Sequence, residues 1–474
     1  MIVVCLAQFM VILDVSVVNV ALPAIHRGLH FSTTGLQWVV NAYTLTFAGF
    51  LMLGGRCADL LGRRRVFLAG TALFVLSSLA CALANSRGLL LGARALQGFG
   101  GAVLSPATLS IVTSSFEEGP ERNRAVGMWG AMGALGASSG VLLGGILTQA
   151  FDWPAIFAIN LPIGAFVLLA GLRVIPAARE RERHATRHFD VTGAVLVTAS
   201  LVALSLGIVR TDTLGWGDPG VLFPLAAGIA LLGAFFYVEA RVAAAPLVPL
   251  SIFRIGQLRV ANLVVVLLYA SFFPVWFFLT LYLQQVLHYD AIEAGLAFLP
   301  MTMSIFIATT LAPRLVARFS PRAVVTAGML LASLGIALLT GVAPGGSYWG
   351  SVFPGALLSA TGMGLSLIPA TIVAMQGLAG SESGVGSGLL NTSRLMGGAL
   401  GLAVLSTIAD AVTRGSTNPA GAHALTNGFD VAYAVGAGLS LLGALAALTM
   451  LRERRAADVV ELGAERDGED ALAA

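Results

Sequence analysis

Among the 24 acidic residues of this chain, one stands where an acid is costly. Asp14 lies in "ILDVSVVNVALP" (12–23), inside an apolar stretch that begins at Met1. An ionised carboxylate in such a segment costs several kcal/mol unless a partner compensates it. Removing a carboxyl group from water favours its protonated form, so the chemistry expected of Asp14 is reversible proton binding. The expected partner is Arg94 in "ARALQGFGGA" (93–102). Arginine does not lose its proton and can hold the acid ionised until a conformational change separates the pair. Helical rise places Asp14 about 12 Å and Arg94 about 8 Å from the same end of their segments, so the depths match. Glu239 and Asp410 fall near segment ends.

Three further stretches belong with this pair. In "WGAMGALGASSGVLLGG" (129–145), Gly133, Gly136, Gly140 and Gly144 recur at spacings of three and four, a stripe on one helix face suited to close helix contact. "GGRCADLLGRRR" (54–65) is a tight loop in which Asp59, flanked by Gly55, Gly62, Arg63 and Arg64, is expected to latch one conformation through an arginine or a helix N-terminus. Aromatic and polar residues at mid-depth suit a greasy, weakly selective pocket. Asn19, Trp38, Tyr43, Gln97, Phe273, Trp276, Gln284 and Asn391 are the candidates.

Such residues need a membrane around them, and the composition supplies one. Of the 474 residues 57% are hydrophobic and 11% charged, with a mean hydropathy of +0.88. Soluble domains carry about 25% charged residues, so the chain reads as a polytopic membrane protein. Apolar segments recur near 2–22, 37–56, 66–85, 89–112, 124–148, 154–175, 191–210, 219–240, 258–283, 291–312, 323–343, 348–371, 388–411 and 430–451, fourteen in all. The first lacks the basic flank and cleavage site of a secretory signal and reads as helix 1. With the N-terminus inside, the inner loops and C-terminal tail hold 20 arginines, and the outer loops hold four: Arg27, Arg87, Arg210 and Arg414. That bias predicts cytoplasmic termini. Arg56, Arg94 and Arg394 lie in or at the edge of helices.

The segments group into a first six-helix bundle (1–175), a linker with two extra helices (176–257), a second six-helix bundle (258–451) and a polar tail (452–474). A weak repeat supports two halves. "GRCADLLGRRRV" (55–66) and "PRLVARFSPRAV" (313–324) align Arg56 with Arg314 and Arg64 with Arg322, although Ala317 replaces the acid of Asp59. Repeated halves with a midplane site are a common transporter plan.

Several chemistries are excluded or weakened. All 27 basic residues are arginine, so neither a P-loop nor a Schiff-base lysine exists in this sequence. Cys5, Cys57 and Cys81 have no metal or disulfide spacing. His184 and His188 sit in a solvated Arg/Glu run and read as linker. There is no basic stripe for nucleic acid. No cofactor is expected, and any pumping must use another energy source or a partner.

The ordered stretches resemble the major facilitator superfamily, more narrowly its fourteen-helix drug:proton antiporters. The helix 1 pattern LDxTxVNVALP is similar to 13–23, GxxxDxxGRR to 55–64, and RxxQGxG to 94–100. "IFAINLPIG" (156–164), "LYLQQVLHYDAIEAGLAFLP" (281–300) and "SGVGSGLLNTSRLMGGALGLAVLS" (383–406) also resemble family stretches. Two positions depart from the pattern: Val141 stands where the helix 5 signature has proline, and Trp153-Pro154 replaces Trp-Arg. The resemblance implies an all-α major facilitator fold, two six-helix bundles plus two central helices. It implies export of small hydrophobic or cationic drugs from the cytoplasm by alternating access, coupled to protons through Asp14 and Arg94, by a monomer in contact with membrane lipid. The alternatives are proton-coupled transport of a metabolite on the same fold and, from another class, an intramembrane enzyme or sensor.

Overall fold

The computed structural model describes residues 1–116, 120–175, 190–243, 246–247, 256–375, 383–416, 418 and 421–451. His184, His188 and the tail beyond Leu451 lie outside the described residues. No strand occurs among the described residues, and fourteen helices are long and apolar enough to cross a membrane. They are α1 (Ile2–Leu29), α2 (Thr33–Leu61), α3 (Arg63–Ala82), α4 (Arg87–Ser115), α5 (Pro120–Phe151) and α6 (Ala155–Val174, broken at Ile159). Then follow α7 (Val191–Leu214), α8 (Pro219–Arg241) and α9 (Gly256–Val286, ending in a π turn). The last five are α10 (Ala291–Arg318), α11 (Pro321–Gly341), α12 (Tyr348–Met375), α13 (Ser383–Arg414) and α14 (Ala422–Met450).

Local chemistry sets the ends. Ser32 accepts from the backbone N–H of Gly35, Ser86 from that of Leu89, and Ser320 from that of Ala323. Asp290 and Glu293 form a reciprocal capping box at the start of α10. The two largest departures from the boundaries read in the sequence have local causes. Helix α1 does not stop at Pro23 but continues to Leu29, where His30 turns the chain at φ 53°. In a membrane bundle, neighbouring helices offset the hydrogen bond that a proline removes. Helix α14 starts at Ala422, eight residues before the expected 430, so its polar first turns count as helix.

Helices α1 to α6 pack among themselves, as do α9 to α14. The pair α7–α8 packs together, with α7 against both α2 and α13. The two groups meet along two seams, α2 against α13 and α5 against α10. Among the described residues, four hydrogen bonds cross between the groups. Gln37 accepts from Ser406 at 2.7 Å, and Asn41 donates to the Ala399 carbonyl at 3.3 Å. Gln284 donates to the Val20 carbonyl at 2.7 Å, and Gln149 to Asp290 at 3.3 Å. All four lie in the half of the molecule that holds the α1–α2 loop.

The glycine stripe of α5 is what lets α1 sit against it. A Cβ on Gly136 would lie 2.8 Å from the Phe9 carbonyl, and on Gly144 2.8 Å from the Val17 carbonyl. On Gly140 it would meet the Ser16 Cβ at 2.7 Å and the Leu13 carbonyl at 2.8 Å. Gly133 is looser, with Ile12 at 3.9 Å. The stripe thus presses on the stretch of α1 that carries Asp14. Val141 is buried, and its carbonyl faces Gly295 of α10, so this position sits in the α5–α10 seam.

Two substitutions test this packing. Gly140→Ala should lower stability by about 1–3 kcal/mol, because backbone must move to admit a methyl group. Gly130→Ala, where nothing lies within 4 Å, should be neutral or raise stability by up to about 1 kcal/mol through helix propensity. Thermal melts of the purified protein in detergent compare them; equal melting temperatures would contradict the assignment.

Candidate functional site

Asp14 and Arg94 meet. Arg94 Nη1 donates to Asp14 Oδ2 at 2.6 Å, and the two side chains are 1% and 0% exposed. The same Nη1 reaches Gln97 Oε1 at 2.6 Å, and Nε donates to the Val39 carbonyl of α2 at 3.0 Å. The other carboxylate oxygen, Oδ1, accepts from Gln97 Nε2 at 2.7 Å and from Asn160 Nδ2 at 2.8 Å. Ser78 Oγ on α3 accepts from both amides, at 2.6 and 3.2 Å. The guanidinium lies over the Tyr43 ring at 4.5 Å and the Phe157 ring at 5.6 Å. Five helices, α1, α2, α3, α4 and α6, therefore close on one ion pair.

This geometry is that of a charge held shut. Both oxygens of Asp14 are occupied, three donors reach them, and no surface of the carboxylate is open. A buried pair of this kind stands only while every member is satisfied, since removal of one partner strands the other charge. Asn160 Oδ1 and the Tyr43 hydroxyl are buried without a partner. Helix–helix fit carries these groups here. Gly98, one residue after Gln97, approaches α2 so closely that a Cβ would lie 2.3 Å from the Tyr43 carbonyl.

The expected pocket residues scatter. Tyr43 and Gln97 belong to the ion-pair site and are buried, so they present no wall to a ligand here. Asn19 donates to the Val15 carbonyl of its own helix. Trp276 stacks on Phe298 with centroids 4.9 Å apart, Phe273 packs beside Gly398, and Trp38 is half-buried against the main apolar cluster. Gln284 lines a cleft of about 650 Å³ between the two groups of helices, at the α1–α2 end, with His26, Arg27, Asp152, His288 and Asp290. Asp152 and His288 both hold left-handed backbone there, φ 68° and 57°. Asn391 is half-buried and makes no side-chain hydrogen bond.

At the expected latch, α2 and α3 are joined by Gly62 alone, at φ 93°, a conformation glycine adopts without steric cost. Arg64 Nη2 donates to the Leu172 carbonyl of α6 at 2.5 Å. Gly55 faces Pro106 at ordinary contact distance, and Arg63 is half-buried. The Asp59 side chain lies outside the described residues.

Ser78, Phe157 and Asn160 of the site, and a buried acid elsewhere, Asp430, escaped the sequence reading. Asn160 sits in the quoted stretch 156–164, but nothing in a single asparagine announces that it meets Asp14. Asp430 was set at the edge of its helix. With α14 beginning at Ala422, it is two turns inside, and its Oδ1 is buried without a partner. The polar run Thr426-Asn427-Gly428 had masked the helix start.

The Major Facilitator Superfamily profile matches residues 4–402. The cephamycin export protein of Amycolatopsis lactamdurans is 43% identical over 420 residues, 88% of this chain and 86% of that one. The puromycin resistance protein of Streptomyces alboniger is 38% identical, covering 96% of this chain and 91% of its own length. The lincomycin resistance protein of Streptomyces lincolnensis is 37% identical, with 98% and 92% covered. Among solved structures, a nucleoside transporter superposes with a TM-score of 0.68 at 13% identity, covering 95% of this chain and 99% of that one. The xylose transporter of E. coli in an inward-open conformation gives 0.63 at 13%, with 96% of both covered. At such identities these two likenesses speak to the fold.

Removing one charge should cost more than removing both. Arg94→Met leaves Asp14 buried and uncompensated and should lower stability by about 3–5 kcal/mol. Adding Asp14→Asn in that background should restore part of the loss. Thermal melts of wild type, both single variants and the double variant give the coupling; strictly additive losses would contradict the arrangement.

Proposed function

The chain belongs to the major facilitator superfamily, and from that premise we propose that it exports a small drug or antibiotic across the cytoplasmic membrane in exchange for protons. It is a multi-pass membrane protein, with fourteen helices long and apolar enough to span among its described residues. Relatives at 37–43% identity that carry export or resistance names, aligned over most of both chains, support efflux. The observation that carries the coupling is the Asp14–Arg94 pair, 2.6 Å apart and closed off by five helices.

The arginine bias orients the molecule. The face with the α2–α3 loop and both termini is cytoplasmic, and the face with the α1–α2 loop is outside. On that orientation the four hydrogen bonds between the bundles close the outer side. Opening the outer side pulls α2 and α13 apart and shifts Tyr43 and the Val39 carbonyl, both of which touch Arg94. The carboxylate then meets outer water and takes a proton. Neutral Asp14 no longer holds Arg94, so the five-helix closure is weakened until the proton leaves toward the cytoplasm. Substrate and proton need share no atoms, because each biases one two-state equilibrium. The two bundles (1–175 and 258–451) move as units, and α7 and α8 serve as a scaffold between them. The protein works as a monomer in lipid, as a transporter and not as an enzyme.

Inside-out vesicles with an imposed ΔpH test this. An exported compound should discharge the gradient with wild type, and Asp14→Asn should reduce that discharge at least about tenfold while the variant still reaches the membrane. Equal discharge by both proteins would remove Asp14 from the coupling path. No discharge by any compound with wild type would remove the efflux reading.

A further inference from the structure

Arg94 has its acid, but a second arginine inside the bundle does not. Arg394 is on α13, six residues beyond Gly388, where the apolar span begins, or about 9 Å in. Among the described residues it makes no side-chain hydrogen bond and no ion pair, and its Nε is buried without a partner. Its one described contact is the Tyr269 ring of α9, 5.8 Å from the guanidinium carbon. An arginine near a helix end can run its head along the chain to the nearest interface. Arg394 does not do so: Tyr269 lies thirteen residues beyond Gly256, about 20 Å along α9. The cation is directed inward.

Its neighbours show what it faces. Ser393 bonds Asn262 of α9, and Gly397 abuts Val266 of the same helix. On the other side, Leu395 packs against the apolar cluster of the first bundle, and Gly388 faces Met52 of α2. Arg394 therefore points between the two bundles. Asn391, one turn away at i−3, shares that face. Its amide makes no hydrogen bond, nor does the Tyr269 hydroxyl, and all three residues are half-buried. A guanidinium and a tyrosine ring 5.8 Å apart, with an amide one helical turn away, lie where the bundles part, and among the described residues none of the three side chains makes a hydrogen bond. The guanidinium fork matches carboxylate and phosphate oxygens, and an uncompensated one in a low-dielectric setting attracts them strongly.

We propose that Arg394, Asn391 and Tyr269 form an anion-recognition site between the bundles, and that the substrates are aromatic or aliphatic compounds bearing a carboxylate, sulfonate or phosphate group. This rests on the export reading and changes its substrate class, since a fixed cation repels cationic drugs. The anion has two sources, a transported organic anion entering from the cytoplasm or the headgroup of an acidic lipid entering between helices.

Proteoliposomes of the full chain separate the outcomes. A fluorescent aromatic carboxylate, its methyl ester and a cationic dye are compared in zwitterionic lipid, with wild type, Arg394→Gln and Arg394→Lys. Melting temperature in detergent checks folding of each variant. The site predicts proton-driven transport of the carboxylate in preference to the ester, lost about tenfold or more in Arg394→Gln, with partial retention in Arg394→Lys, and little transport of the dye. Transport without preference for the anion, or a loss in Arg394→Gln that falls equally on acid and ester, would overturn it and leave efflux standing. If wild type prefers no anion but is activated by added acidic lipid, and Arg394→Gln abolishes only that activation, the residue holds a lipid headgroup and the substrate class is wrong. Failure of wild type to move any of the three against a proton gradient would overturn the export reading itself.

Discussion

A carboxylate sealed from water must be neutralised or surrounded by donors, and this requirement at Asp14 organises the first bundle. Meeting it takes Arg94 and Gln97 from α4, Ser78 from α3, Asn160 from α6, and the Val39 carbonyl and Tyr43 ring from α2. The glycine stripe of α5 contributes no polar atom, yet it brings α5 onto the stretch of α1 around Asp14. Burying one charge thus fixes the mutual placement of six helices.

In the proposed cycle the same arrangement ties the charge to the state of the transporter. Hydrogen bonds between the bundles at one end run through α2 and α13, and α2 also supplies the carbonyl and ring that hold Arg94. A change in how α2 meets α13 is therefore felt at the ion pair a few turns away. In the proposed cycle, protonation of Asp14 would remove one link in a closed network, and the helices that it joins would become free to rearrange. Because arginine keeps its charge, Arg94 would remain available in that cycle to recapture the acid when the proton departs.

Much of this was legible in the chain because membranes simplify the code. With no water to satisfy backbone groups, spans must be helices, and fourteen apolar segments announce fourteen helices. A lone acid in such a segment stands out, as Asp14 did, and an arginine at matching depth is a natural partner. Pocket residues were less legible. Tyr43 and Gln97 have the chemistry of ligand contacts, but helix rotation turned them into the ion-pair site. Asn160 gave no signal, because one amide is common and its importance comes from the fold that brings α6 beside α1. Asp430 was missed for a local reason: a polar first turn hides a helix start when hydropathy is the guide. Arg394 was read only as lying in or at the edge of a helix; that no described acid pairs with it emerges from the fold.

The central claim is that Asp14 binds the coupling proton and gives it up when substrate binds. Purified protein in weakly buffered detergent, set at a series of starting pH values, allows a direct reading with a pH-sensitive dye as a transported compound is added. The account predicts release of up to one proton per bound molecule from wild type, with the amount varying with starting pH, and none from Asp14→Asn that still binds the compound. The same release from both proteins would contradict it, and the coupling proton would then belong to another group.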